Sequence, residues 1–196
     1  MAWPRGHLAA AIKRAGRALV CNDGGTAVIE FALILPMLFI LYIGGFEASQ
    51  SISVYRKISD LTTSLAIIVS QDALENKGGL DGEIAASAQI MTPYPTADLT
   101  VSMTQITTDA TIVSKGVVGW SRASTKGVKS TPYAAGTILT TLPASLAPNT
   151  TYILVKTSYD YTVVVGVNEI NPIPTLNDQL YILPRIGTPI PCTDCD

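Results

Sequence analysis

The chain has 196 residues, 47% of them hydrophobic and only 14% charged, against about 25% charged in ordinary soluble domains; the length suits one modest domain with an anchor, and the shortfall in charge assigns part of the chain to lipid. The net charge of -2 conceals a split: up to Gly25, Arg5, Lys13, Arg14 and Arg17 face Asp23 alone, giving +3, while beyond it the remaining 9 bases face 14 acids, giving -5. An acidic body argues against nucleic acid as a partner, which needs a basic face, and the single histidine, His7, lies in the basic head, which removes Ser-His-Asp and Cys-His nucleophile systems and imidazole metal sites from everything after it.

In chain order, residues 1–25 read as a basic cytoplasmic leader, and residues 26–45 as a transmembrane helix. The stretch from Ala27 to Gly45, AVIEFALILPMLFILYIGG, has 19 residues. At about 1.5 Å per residue it spans roughly 28 Å, close to the bilayer hydrocarbon thickness. Four bases precede it, none lies within it, and the next are Arg56 and Lys57. The positive-inside rule then puts the N-terminus in the cytoplasm and the C-terminal body across the membrane. Glu30 interrupts the apolar run, and an intramembrane carboxylate needs either water or a partner. It either lies close enough to the headgroups to stay wet, or it has a functional counter-charge. Pro36 removes one backbone bond inside the span. It reads equally as a tolerated kink or as a bend that helps a subunit leave the bilayer. An ordinary secretory signal fits less well, because the basic region is too long and the apolar core carries an acid. Cys21 does not suit a lipid anchor, since Val20 stands where a small residue is expected and no apolar core lies upstream.

The run Gly25-Thr26-Ala27-Val28-Ile29-Glu30-Phe31-Ala32-Leu33-Ile34-Leu35-Pro36, closed by Gly45 and Glu47, resembles the TadE-like pseudopilins of the tight adherence (Tad/Flp) pilus systems. The resemblance covers roughly residues 14 to 60, with Ile29 where valine is common. Trp120-Ser121, Leu142-Pro143, Ser158-Tyr159-Asp160-Tyr161 and Leu183-Pro184-Arg185 look like weaker later landmarks. Glycine, four residues, then glutamate at the head of an apolar helix matches the type IV prepilin processing pattern. Only a cut between Gly25 and Thr26 puts glutamate at position five; a cut after Gly24 would put Ile29 there. The resemblance implies a minor pseudopilin involved in pilus assembly, trimmed by an aspartic-type prepilin peptidase. It implies that Glu30 pairs with the new Thr26 amine of a neighbouring subunit, a pairing that buried charges among apolar helices require. The implied partners are the peptidase, other pilin or pseudopilin subunits through the N-terminal helix, the inner-membrane assembly platform and membrane lipid. The implied location is the inner membrane, single-pass, with the body periplasmic and a place in the fibre left open.

After Gly45, apolar residues recur at Val54, Ile58, Leu61, Leu65 and Ile68, with Arg56, Lys57 and Asp60 off the stripe. This predicts an amphipathic continuation over 46–76, helical to about Gln71 and ended by Gly78-Gly79. The next region, 77–167, is expected to be an α+β periplasmic domain. It opens with a short helix from Asp81 to Met91, capped by Asp81 and stopped by Pro93 and Pro95. Strands are expected at Asp98 to Thr104, in the poorly phased Thr111 to Ser121, and at Thr151 to Val165. In the last, Ile153, Val155, Tyr159, Tyr161, Val163 and Val165 alternate with polar residues. Lys126 to Thr150 reads as a long loop with a turn at Pro143 to Leu146. The fold class is α+β and pilin-like: a small antiparallel sheet on the outer half of one long helix.

The tail, 168–196, holds Pro172, Pro174, Pro184, Pro189 and Pro191 and reads as extended and irregular. It ends Cys192-Thr193-Asp194-Cys195. In an oxidising periplasm a local disulfide between Cys192 and Cys195 is the first reading. A redox pair lacks the helix that would activate the thiol, and zinc would need two further ligands. Asn149-Thr150-Thr151 matches a glycosylation sequon by chance. No cofactor, metal or catalytic residue is expected, and no enzymatic activity. The competing functional reading is an uncleaved, single-pass anchored binding or sensing domain; a periplasmic thiol enzyme is a third.

Overall fold

A computed structural model of the chain describes residues 23–163, 175–186 and 189–195. Two compact units divide it, Met1–Glu47 and Ala48–Asp196. In the first, helix α1 (Asp23–Gln71) begins and continues through Pro36. Its large side chains from Val28 to Tyr42, apart from the half-buried Leu35, are exposed among the described residues.

The second unit holds the rest of α1, then α2 (Lys77–Ala88), two 3-10 turns (Gln89–Met91 and Thr96–Asp98) and six strands. These are β1 (Leu99–Thr108), β2 (Gly116–Thr125), β3 (Val128–Ser130), β4 (Ile138–Leu139), β5 (Thr151–Tyr159) and β6 (Leu176–Ile182). They form one antiparallel sheet in the order β3-β2-β1-β5-β6, with β4 also paired to β2. The α+β architecture expected from the sequence is therefore present, with a single long N-terminal helix and a small antiparallel sheet. Val54, Ile58, Leu61 and Leu65 of α1 are fully buried against Val101, Met103, Trp120, Ile153 and Val155 of the sheet. The stripe ends differently from the expectation. Ile68 is exposed, and Ala66 and Val69 are fully buried in its place. At 3.6 residues per turn the buried line drifts, so the last step is four residues and not three.

β1 alternates through Leu99, Val101, Met103 and Gln105 on one face, and its pairing with β2 skips one residue, Gly119, opposite Gln105 and Ile106. Strand alternation puts Ile106 on the opposite face of the sheet, and the extra residue shifts the phase of β2, so that Val118 and Trp120 face opposite sides. Ile106 meets Leu142 and Leu154 in a second, smaller core. The same irregularity explains why β2 is poorly phased in sequence. It starts at Gly116 and runs to Thr125, whereas Thr111 to Lys115 form a turn organised by Asp109. Gly116 allows close approach on this side, since a β-carbon there would lie 2.6 Å from Ile106 Cγ2.

Several expectations need correction. Gly78 and Gly79 do not terminate a helix; they form the first turn of α2, whose cap is Asn76, with Oδ1 accepting from Gly79 N–H at 2.8 Å. α1 had already stopped at Gln71. Asp81 is thus inside α2, which ends at Ala88 and gives way to a 3-10 turn before Met91. Its carboxylate takes two hydrogen bonds from Arg122, at 2.7 and 2.8 Å, and an ion pair from Lys129 at 3.1 Å. That fork ties α2 to β2 and β3 and holds the Asp81 carboxyl below the usual carboxylate range. The region 126–150 contains two short strands, β3 and β4, besides the turn where Leu146 N–H reaches Pro143 O at 3.3 Å. β5 stops at Tyr159, although Tyr161 is still buried and Val163 still packs on the core. The tail is not irregular throughout: β6 pairs with β5 from Tyr159↔Leu176 to Ile153↔Ile182. Leu176, Leu180 and Ile182 pack on the core in strand alternation; no proline falls between Pro174 and Pro184 to forbid it. The leader before Asp23, Val165, Pro172 and Pro174 lie outside the described residues.

Candidate functional site

In the first unit, the candidate residues share one stretch of helix. Gly25, Thr26 and Glu30 are exposed on α1, with Thr26 and Glu30 four residues apart and so on one face. Around them Val28, Ile29, Phe31, Leu33 and Ile34 are all more than half exposed. One carboxylate therefore stands in a sleeve of apolar side chains. A β-carbon built on Gly25 would find nothing within 4 Å. Pro36 occupies the middle of the apolar stretch, next to a shallow groove lined by Leu35, Leu38, Phe39 and Tyr42. Gly45 and Glu47 end the stretch; Glu47 is buried and Gly45 is open. The helix that contains these residues is long and apolar enough to cross a membrane, and its most apolar stretch is not buried among the described residues. An apolar surface of this kind is stable only against lipid or against other helices.

Cys192 and Cys195 belong to the second unit. They are bonded to each other, with Cα atoms 5.6 Å apart, within the usual disulfide range. Around them the end of the chain is clasped by main-chain bonds. Glu75 N–H donates to Pro191 O at 2.9 Å, and Thr193 N–H donates back to Glu75 O at 3.0 Å. Lys77 N–H donates to Asp194 Oδ1 at 2.7 Å, so Asp194 assists Asn76 in closing the start of α2. Upstream, Ile190 N–H donates to Gln105 Oε1 at 2.8 Å, and Trp120 Nε1–H donates to Ile190 O at 3.0 Å. Arg185 N–H meets Ser70 O near the end of α1 at 2.7 Å. The cysteines thus sit in a structural clasp at the start of α2.

These contacts also explain the later landmarks of the sequence. Trp120 and Pro184-Arg185 attach the tail, Ser121 exchanges two hydrogen bonds with the Tyr133 main chain at 2.8 and 2.9 Å, and Leu142 fills the second core. Sequence reasoning missed Gln105, Glu75 and Asp194 as the groups that seat the tail. The only signal was that buried-strand alternation places a polar Gln105 on the core face, where it must find a partner.

Residues 25–64 match the family model described as TadE-like protein. None of the curated proteins and none of the solved structures compared with the chain matches it. The match begins on Gly25 itself, covers the whole apolar sleeve and ends within the buried stripe of α1. Over residues 25–64, then, the chain is similar to TadE-like proteins.

Proposed function

We propose that this chain is a minor pseudopilin of a Tad/Flp-type pilus assembly system, cut by a prepilin peptidase between Gly25 and Thr26. The observation that carries the reading is the lone Glu30 carboxylate on an exposed apolar helix, one turn from Thr26, inside the stretch that is TadE-like. Cutting at Gly25 makes Thr26 an ammonium. When helices of several subunits gather in the membrane, that ammonium on one subunit and Glu30 on another neutralise each other. Each charge alone is costly in lipid, so the pair favours association in one register.

In this reading residues 1–25 stay cytoplasmic and are removed, 26–45 cross the inner membrane, 46–76 continue as helix, and the remaining domain works in the periplasm. The oxidising compartment keeps Cys192 and Cys195 paired. The role is structural: the helix joins other pilin helices and the assembly platform, Pro36 bends the subunit as it leaves lipid, and no catalysis is involved.

Gly25→Phe tests this directly. Among the described residues nothing lies within 4 Å of a β-carbon at that position, so the variant should accumulate in the membrane at wild-type level but untrimmed. Normal trimming of Gly25→Phe contradicts the proposed cut site. A wild-type chain that keeps its leader supports instead an anchored, uncleaved binding module.

A further inference from the structure

Three acidic side chains that the pilus reading does not use converge between α1 and α2. Asp72 follows the last residue of α1, Glu75 lies in the linker and Glu83 is on α2. One carboxylate oxygen from each lies within 4.8 Å of the other two. The backbone brings them together. Glu75 is held on both sides by the tail, through Pro191 O and Thr193 N. Its side chain turns toward α2 over Gly79, where a β-carbon would lie 3.4 Å from Glu75 Oε2. Glu83 is one turn further along the same face.

The cluster lacks a counter-charge, although Asp72 shares hydrogen bonds with Glu75 and Glu83 and the Asn76 main chain bonds Glu75. Glu75 is only 2% exposed. Its Oε1 and the Oε2 of Glu83 are buried with no hydrogen-bond partner. The salt bridges among the described residues engage Asp81 and Asp160, and none reaches Asp72, Glu75 or Glu83. Buried polar atoms nearly always have a partner, and buried anions a counter-charge. Without one, burial first and the neighbouring acids second push Glu75 up to about 7 and Glu83 up to about 8.

We propose that Asp72, Glu75 and Glu83 form a calcium-binding site that ties the end of α1 to the start of α2 and, through Glu75, to the C-terminal tail. The donors are all oxygen, which selects hard cations. Calcium takes six to eight oxygens at about 2.3–2.6 Å, so ligands up to roughly 5 Å apart can share one ion. Magnesium keeps most of its waters and uses one or two carboxylates, which suits three converging acids less well. Asp72 and Glu83 are half-buried, which leaves an entry path and room for water to complete the shell. The ion supplies the counter-charge for the two orphan oxygens. The site does not depend on trimming or on pilus assembly.

The test uses the full-length chain in detergent, stripped with a chelator and titrated calorimetrically with calcium chloride. The proposal expects saturable uptake of one calcium ion per chain and a higher unfolding temperature in calcium. It expects at least tenfold weaker binding in Asp72→Asn and in Glu83→Gln, and no displacement by equimolar magnesium. Absence of saturable calcium uptake by the wild-type chain overturns it, whatever the variants do, up to about 10 mM calcium, above the roughly 0.1–1 mM range of extracellular modules. Unchanged calcium affinity in folded Asp72→Asn and Glu83→Gln also overturns it.

Discussion

The hydroxyl of Thr62 on α1 lies 2.9 Å from the hydroxyl of Thr157 on β5, in the middle of the apolar core that joins helix to sheet. Both residues are buried, and Thr62 Oγ1 also lies 2.8 Å from Ile58 O, one turn back on the helix. A polar pair in this position favours one turn of α1 facing β5, because a slip along the helix takes from the buried Thr157 hydroxyl its partner on α1, while Thr62 keeps its bond to Ile58 O. Thr62→Val alone should cost about 1–2 kcal/mol of stability, since it strands the Thr157 hydroxyl. Thr62→Val with Thr157→Val should recover most of that loss, because removing both partners leaves nothing unsatisfied. Denaturant unfolding of the two single variants and the double variant measures the coupling; costs that simply add would contradict it.

Gln105, one of the side chains that seat the tail, packs directly over Gly119. A β-carbon on Gly119 would lie 2.5 Å from Gln105 Nε2, while Gln105 Oε1 holds Ile190 N–H. Gly119→Ala should therefore push Gln105 away from Ile190 and destabilise the domain by about 1–3 kcal/mol. Amide exchange at Ile190 should accelerate more than exchange in the centre of β1. Equal protection of Ile190 in variant and wild type would refute the coupling.

Asp109 gives a pH signature. Its Oδ1 accepts from Thr111 N–H, Thr111 Oγ1–H and Ile112 N–H at 2.8, 2.8 and 2.9 Å. These bonds, led by that from Thr111 N–H, lower its carboxyl to about 2, from about 3.9 in an unfolded chain. A depressed carboxyl pKa contributes stability that is complete above the unfolded value and disappears as the pH falls through the folded value. Asp109→Ala should lower the unfolding temperature at neutral pH, and the gap to wild type should close between about pH 4 and pH 2. A gap that persists unchanged at pH 2 would show that the carboxylate charge is not what organises the turn.

The sequence carried the class of fold and the N-terminal segment because both rest on strong periodic signals. The apolar run with one acid at a set distance from Gly25 is legible without any partner element. Leu99, Val101 and Met103, and Ile153 and Val155, alternate as half-buried strands do. What was not legible depended on contacts between distant residues. The bulge opposite Gln105 and Ile106 shows only when β2 is paired. Asp81 looked like a cap because Asn76, the true cap, precedes two glycines that usually end helices. The strand from Leu176 to Ile182 was hidden among prolines, and it exists because β5 offers it an open edge. Glu75 in an isolated sequence is one acid among many; only the tail's return buries it.

Glu30→Ala separates membrane insertion from assembly. Alanine makes the helix more apolar, so insertion and trimming should be unimpaired. Loss of the carboxylate leaves a Thr26 ammonium without its counter-charge between subunits, and piliation should fall at least tenfold, since breaking a buried pair by removing one partner is strongly unfavourable. Glu30→Gln should fall as far, because it keeps the shape and removes the charge. Normal piliation in either variant would remove the pairing role.

N-terminal sequencing of the wild-type chain, purified from membranes of cells that contain the peptidase, bears on all of this at once. The account predicts a mature end at Thr26, with a mass lacking residues 1–25 and their excess of basic groups. Recovery of a chain that still begins at Met1 would contradict it, since Glu30 would then have no new ammonium to meet.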